Sequence, residues 1–179
     1  MGKFPLMRTP GAIEGLRKLC RHVNSITPTK DMKLIEIGSY EGHSTKVFLN
    51  WFKKVYAIDP WKSGIGDITN VVDMDVIYER FLQRVDGIGS LKIYRGLSQD
   101  MNHRFGNGKY DIVYVDGSHK YEDTLSDIQL YLPKIKKGGW IAGHDYRKKF
   151  PGVMKAVEET IGKPDKTFPD ASWLKRIEE

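Results

Sequence analysis

The stretch from Lys33 to Phe52, KLIEIGSYEGHSTKVFLNWF, changes its period halfway. It opens as a short apolar run, Leu34, Ile35 and Ile37 around Glu36, and breaks at Gly38 and Gly42. A helical segment then follows from about His43 to Phe52. A short apolar run bounded by glycine predicts a strand, and the segment after it a helix. A strand that hands over to a helix is half of a βαβ unit, so the fold depends on whether the unit recurs.

It recurs along most of the chain. A second strand, Val55–Asp59, is closed by Pro60, which has no N–H to give a sheet. A helix over about Asp73–Val85, a strand Leu91–Tyr94 and a short helix Ser98–Phe105 come next. Asp111–Val115 is nearly continuous in apolar side chains, which suits a strand buried on both faces. It leads to a helix Tyr121–Leu132 and to GGWIAGHDY, Gly138–Tyr146, a fifth strand ending at His144-Asp145. A helix Gly152–Ile161 and a tail with ASWLKRI, which carries the final strands, complete the chain. On the N-terminal side, Ile13, Leu16, Leu19, Cys20 and Val23 share one face of a helix over Gly11–Asn24. Lys62–Val72, KSGIGDITNVV, has two glycines and little period and reads as a surface loop. The expected fold is α/β: a Rossmann-like, doubly wound, mostly parallel sheet with helices on both faces, a three-layer sandwich. It is expected as one domain over 1–179, with a tail and helix over 1–29, the core over 30–146 and the last helix and strands over 147–179.

A length of 179 residues, 40% of them hydrophobic, suits one core and is short for two. No run approaches the roughly 20 apolar residues of a membrane span, and MGKFPLMRTPG lacks the apolar stretch and cleavage site of a secretory leader. The expected compartment is the cytoplasm. The single cysteine, Cys20, excludes an internal disulfide. A net charge of +6 with basic clusters at Lys134, Lys136, Lys137 and at Arg147, Lys148, Lys149 invites a polyanion partner, but acids are interspersed and a solvated basic face is the reading we favour.

In open parallel sheets, ligands bind beyond the carboxyl ends of the strands where strand order reverses. Those ends carry Glu36-Ile37-Gly38, Asp59, Gly96 to Gln99, Asp116-Gly117-Ser118-His119 and His144-Asp145-Tyr146. Acids and histidines therefore gather at one edge. The turn EIGSYEGHST leads into a helix N-terminus but is not G-x-G-x-x-G, and Glu36 beside it repels a pyrophosphate and attracts an ammonium. Asp59 stands 21 residues after Gly38, at a strand end, where an acid accepts hydrogen bonds from ribose hydroxyls. A ligand with a ribose, a cationic part and no essential phosphate describes S-adenosylmethionine better than a dinucleotide.

LIEIGSYEGHST, VYAIDPW, DIVYVDGSHKYEDTLSDI and GGWIAGHDY also follow one another as they do in class I S-adenosylmethionine-dependent methyltransferases. Over roughly residues 30 to 146 the chain resembles the branch of small-molecule O-methyltransferases of the catechol type and, more closely, the macrolide-sugar O-methyltransferases. The resemblance implies that Glu36, Gly38 and Gly42, with Ser39 and Tyr40, hold the methionine part. It implies that Asp59 holds the ribose, that Pro60 and Trp61 lie near the adenine, and that Ser98 holds the adenine edge. Asp116 is counted with the cofactor and catalytic residues. In the sugar-methylating relatives the DGSH acid and two acids after the fifth strand bind a magnesium-type divalent ion, and the DGSH histidine is the base. The matching positions are Asp116, His144, Asp145 and His119, with His144 standing where those relatives have an acid.

Methyl transfer from a sulfonium needs an aligned nucleophile and an acceptor for its proton, which a metal at Asp116, His144 and Asp145 and the base His119 would supply. The expected partner is a small-molecule hydroxyl acceptor, with a second subunit as a source of further acceptor contacts. Three alternatives rank lower. A two-histidine, one-carboxylate iron site leaves Asp59 without a role. A nucleic-acid methyltransferase is disfavoured because the Asn/Asp-Pro-Pro-aromatic motif of many amino-methylating enzymes is absent. A binding protein without catalysis has no need of both Asp116 and His119.

Overall fold

A computed structural model describes residues 9–64 and 73–178. Its strands are β1 (Lys33–Ile37), β2 (Lys54–Asp59), β3 (Leu91–Arg95), β4 (Tyr110–Val115), β5 (Ile135–Gly143), β6 (Lys166–Thr167) and β7 (Trp173–Arg176). The α-helices are α1 (Pro10–Ile26), α2 (His43–Trp51), α3 (Met74–Val85), α4 (Ser98–Met101), α5 (Tyr121–Tyr131) and α6 (Pro151–Ile161). The strands form one sheet in the order β3-β2-β1-β4-β5-β7-β6, parallel through β5, with β7 antiparallel to both β5 and β6. This is the expected Rossmann-like, mostly parallel sheet with helices on both faces.

Alternation along each central strand sorts the core into two layers. Leu34, Val55, Ala57, Ile112, Tyr114, Trp140 and Ala142 face Leu16, Leu19, Phe48 and Phe81 of α1, α2 and α3. Ile35, Ile37, Ile58, Val113, Val115 and Ile141 face Ile128, Tyr131, Val153 and Val157 of α5 and α6. Both faces of β1 and β4 are thus buried, which is why these strands read as apolar runs rather than as alternating ones. Cys20 lies in the first layer, where burial pushes its thiol pKa up and leaves it a packing residue.

Two boundaries differ from the sequence reading. The fifth strand starts at Ile135, before the glycine pair, and its register against β4 shifts between Tyr110 and Ile112. Gly138 there has φ +70°, and a Cβ at Gly139 would meet the Asp111 carbonyl at 2.8 Å, so the irregular stretch needs both glycines. The helix expected over Ser98–Phe105 is one α turn followed by a 3-10 turn at Asn102–Arg104, because Phe105 turns inward to the core. Of the loop expected over Lys62–Val72, residues 65–72 lie outside the described residues, as do residues 1–8 of the N-terminal stretch. Among the described residues no helix is long and apolar enough to cross a membrane.

Candidate active site

Strand order reverses between β1 and β4, and the turns that leave these strands are locked at one height. The Gly38 amide donates to the Ile58 carbonyl at 2.9 Å, Asp116 to Ile37 at 2.8 Å, and His144 to Val115 at 3.1 Å. A Cβ on Gly38 would sit 2.1 Å from the Asp116 carbonyl oxygen and 2.7 Å from Gly117 Cα, and its φ is +86°. The glycine is therefore required first by the neighbouring strand's turn.

In the turn after β1, Glu36 is fully buried. Its carboxylate accepts from the hydroxyls of Ser39 at 2.8 Å and of Ser44 and Thr45 at 2.5 Å, so it braces the turn against the start of α2. Asp59 receives the Tyr40 amide at 2.9 Å and the Trp61 amide at 2.8 Å. Burial pushes its carboxyl pKa upward, against the pull of these backbone N–H groups. The Trp61 indole donates to the Tyr40 carbonyl at 2.8 Å. Both peptide groups of Tyr40 are thereby held, which maintains a non-glycine residue at φ 46°. Glu41 binds Arg80 at 3.0 Å, and its carbonyl accepts from Arg84 Nε at 2.7 Å, which fastens α3 to the same turn.

Two cavities open beside this junction and share Gly38, Asp59 and Gly117 in their walls. One, of about 360 Å³, is lined by Pro60, Gly96, Leu97, Ser98, Gln99 and Asp127. The Ser98 hydroxyl donates to Asp127, whose carboxyl burial pushes up to about 7.

The other cavity, of about 370 Å³, brings together Ser39, Tyr40, Asp116, His119, His144 and Asp145. His119 Nε2 lies 2.8 Å and His144 Nδ1 3.0 Å from the same Asp145 oxygen, and His144 Nδ1 is 3.7 Å from Asp116. Burial pulls the Asp145 pKa upward, but hydrogen bonds and charge from His119 and His144 outweigh it and hold the carboxyl well below the usual range. Asp145 itself takes φ 61°, which turns its side chain under both imidazoles. The His119 ring stacks on Phe150 at 4.1 Å and 13°. Asp116, His144 and Asp145 each offer a ligand atom within 4.8 Å of the others, so the donor set is compact enough for one cation.

Most of the residues expected at the site thus converge on the two cavities. Three line neither: Glu36 is buried beneath the turn, Gly42 is the N-cap of α2 at φ 79°, and the Trp61 indole packs on Tyr78 and Phe81 at 4.8 and 4.7 Å. His43, Ser44, Asp127 and Phe150 join the cavity walls without a sequence motif that marks them. Arg147 and Lys149, which also line the larger cavity, were visible only as a basic cluster. The other cluster sits at the starts of β4 and β5, where Lys136 pairs with Asp111 at 2.6 Å and Lys134 with Asn107 at 3.0 Å.

Residues 35–146 match the family described as a methyltransferase domain. An uncharacterized protein of Acanthamoeba polyphaga mimivirus is 28% identical over 135 residues, 73% of this chain. The chain spans about 60% of the length of that curated relative. Among solved structures, the O-methyltransferase NovP superposes with a TM-score of 0.70 at 16% identity, covering 94% of this chain and 80% of its own. The TDP-rhamnose 3'-O-methyltransferase CalS11 of calicheamicin biosynthesis superposes with a TM-score of 0.65 at 16% identity, covering 92% and 77%. At these identities the likeness establishes a common fold.

Proposed function

Since the chain belongs to the methyltransferase-domain family and its cofactor by family is S-adenosylmethionine, we propose that it transfers the methyl group to a hydroxyl of a small-molecule acceptor, with His119 as general base. The observation that carries the reading is the pairing of His119 with the ionised Asp145 in the cavity that also holds Asp116. The O-methylating activities of NovP and CalS11, the latter on a sugar hydroxyl, support the acceptor class.

The cofactor supplies a methyl group on a sulfonium, which reacts by in-line displacement. On this reading Asp59, whose carboxylate keeps acceptor sites beyond the two amides it receives, takes the ribose hydroxyls. Ser98 and Pro60 line the adenosine side, and Ser39 and Tyr40 the methionine side. An ionised carboxylate only accepts, so neutral His119 carries its proton on Nε2 toward Asp145, and Nδ1 is its basic nitrogen. Asp145 then stabilises the imidazolium as the acceptor's proton arrives.

Asp116, His144 and Asp145 fit a divalent cation by donor type and spacing. Two carboxylates with one imidazole suit manganese, cobalt or zinc better than magnesium, which prefers oxygen donors. Such an ion would supply positive charge that lowers the pKa of a nearby hydroxyl.

Calorimetric titration with S-adenosylhomocysteine, and methyl transfer from S-adenosylmethionine to catechol and to TDP-rhamnose, test the reading. Wild-type protein should bind the cofactor product, and Asp59→Ala should weaken that binding. His119→Ala should bind normally and turn over slower by on the order of 10²–10⁴. Unchanged affinity in Asp59→Ala refutes the pocket assignment, and full turnover by His119→Ala refutes the base.

A further inference from the structure

The segment after β5 brings more than Asp145 to the cavity. Arg147 and Lys149 line it together with Asp116, His119 and His144, and Arg147, Lys148 and Lys149 are all exposed to solvent. Two tight turns produce this arrangement. The Arg147 amide donates to the Asp145 carbonyl at 2.8 Å, the Phe150 amide to the Arg147 carbonyl at 2.8 Å, and α6 begins at Pro151. The folded segment lays Arg147 at 5.0 Å and Lys149 at 5.3 Å over the Phe150 ring, the ring that stacks on His119. Two cations thus stand one aromatic ring away from the base.

Charge in this cavity is layered. The carboxylates of Asp59, Asp116 and Asp145 lie in its walls at the strand ends, where a sulfonium or a divalent cation finds them. The cations are at the rim. Asp145 offsets Arg147 at 2.9 Å, but among the described residues no carboxylate pairs with Lys149. A neutral acceptor gains nothing from this gradient. An acceptor with a hydroxyl at one end and an anion at the other is drawn in hydroxyl first, because the opposite orientation sets its anion against the carboxylates.

The geometry points to an acceptor that carries, besides the hydroxyl to be methylated, an anionic substituent, phosphoryl or carboxylate, seated against Arg147 and Lys149. The inference rests on the reading of this cavity as the place where the hydroxyl acceptor of an O-methyltransferase meets the methionine side of its cofactor.

The test uses the full chain saturated with S-adenosylhomocysteine and two matched probe pairs, glucose against glucose 1-phosphate and catechol against protocatechuate. Binding is followed by calorimetry at low salt. At least one anionic member should bind about ten-fold or more tightly than its neutral partner. The gain should shrink as salt is raised and should disappear in Lys149→Glu. The pair that shows it tells a phosphoryl group from a carboxylate. Equal binding within both pairs, no binding by either anion, or a preference that Lys149→Glu leaves intact overturns the inference. Binding of S-adenosylhomocysteine is measured first: its absence removes the methyltransferase reading, whereas its presence without an anion preference removes only this one.

Discussion

Asp127 is a buried carboxyl in the wall of the adenosine-side cavity, hydrogen-bonded by Ser98 and facing the like charge of Asp123. Burial is the main reason its pKa rises from the ordinary 3.8 to about 7. Between these two values the native protein keeps a proton that the unfolded chain has released. Stability is therefore lost as pH rises through this window and the loss is constant above it. Asp127→Asn keeps an acceptor for Ser98 and carries no charge. Its stability advantage over wild type, read from urea unfolding at pH 5 and pH 8, should be larger at pH 8; an equal difference at both would show that Asp127 does not titrate in this window. In the sequence Asp127 is one acid among several in a helix, and only its burial distinguishes it. Trp61 illustrates the converse. Its place after Asp59 suggests an adenine neighbour, and what the sequence does not show is that its indole packs on Tyr78 and Phe81 in a buried apolar seat.

Among the described elements, the junction of the turns that leave the parallel neighbours β1 and β4 is the tightest joint. Gly38 has left-handed backbone and no room for a methyl group against the Asp116 carbonyl, which is backbone and cannot rotate away. Gly38→Ala should cost more than about 3 kcal/mol and abolish binding of S-adenosylhomocysteine together with the fold, by joint thermal and calorimetric measurement. A well-folded Gly38→Ala protein would contradict this account of the joint. The elements themselves were legible. Strands β1, β2 and β4 were expected within a residue of where they lie, because burial on both faces leaves an apolar run that few other structures need. The start of β5 was not legible, since Ile135 is cut off from the apolar run of the strand by Lys136, Lys137 and two glycines, and it joins the strand through its pairing with Tyr110 of β4 ahead of the register shift.

At the scale of the whole molecule, the candidate metal ligands come from two strand ends, Asp116 beyond β4 and His144-Asp145 beyond β5. A divalent ion that binds there binds the folded chain and not the dispersed ligands of the unfolded one. Manganese or zinc in excess should raise the melting temperature, EDTA should reverse the rise, and Asp116→Asn should abolish it. A rise that persists in Asp116→Asn would place the ion elsewhere. Sequence alone determined the succession of strands and helices, and hence which residues stand at the carboxyl edge of the sheet. Both follow from local periodicity and from glycine and proline at element ends. Tertiary structure alone decided what those residues meet. It set Glu36 beneath three hydroxyls, His119 against Asp145, and Arg147 and Lys149 over Phe150 at the mouth of the cavity. The reason is physical: His119 and Asp145 arrive from different turns, after β4 and after β5, so strand pairing sets their distance, whereas the contacts of Glu36 and of Phe150 each close within one turn whose backbone conformation is fixed by its packing.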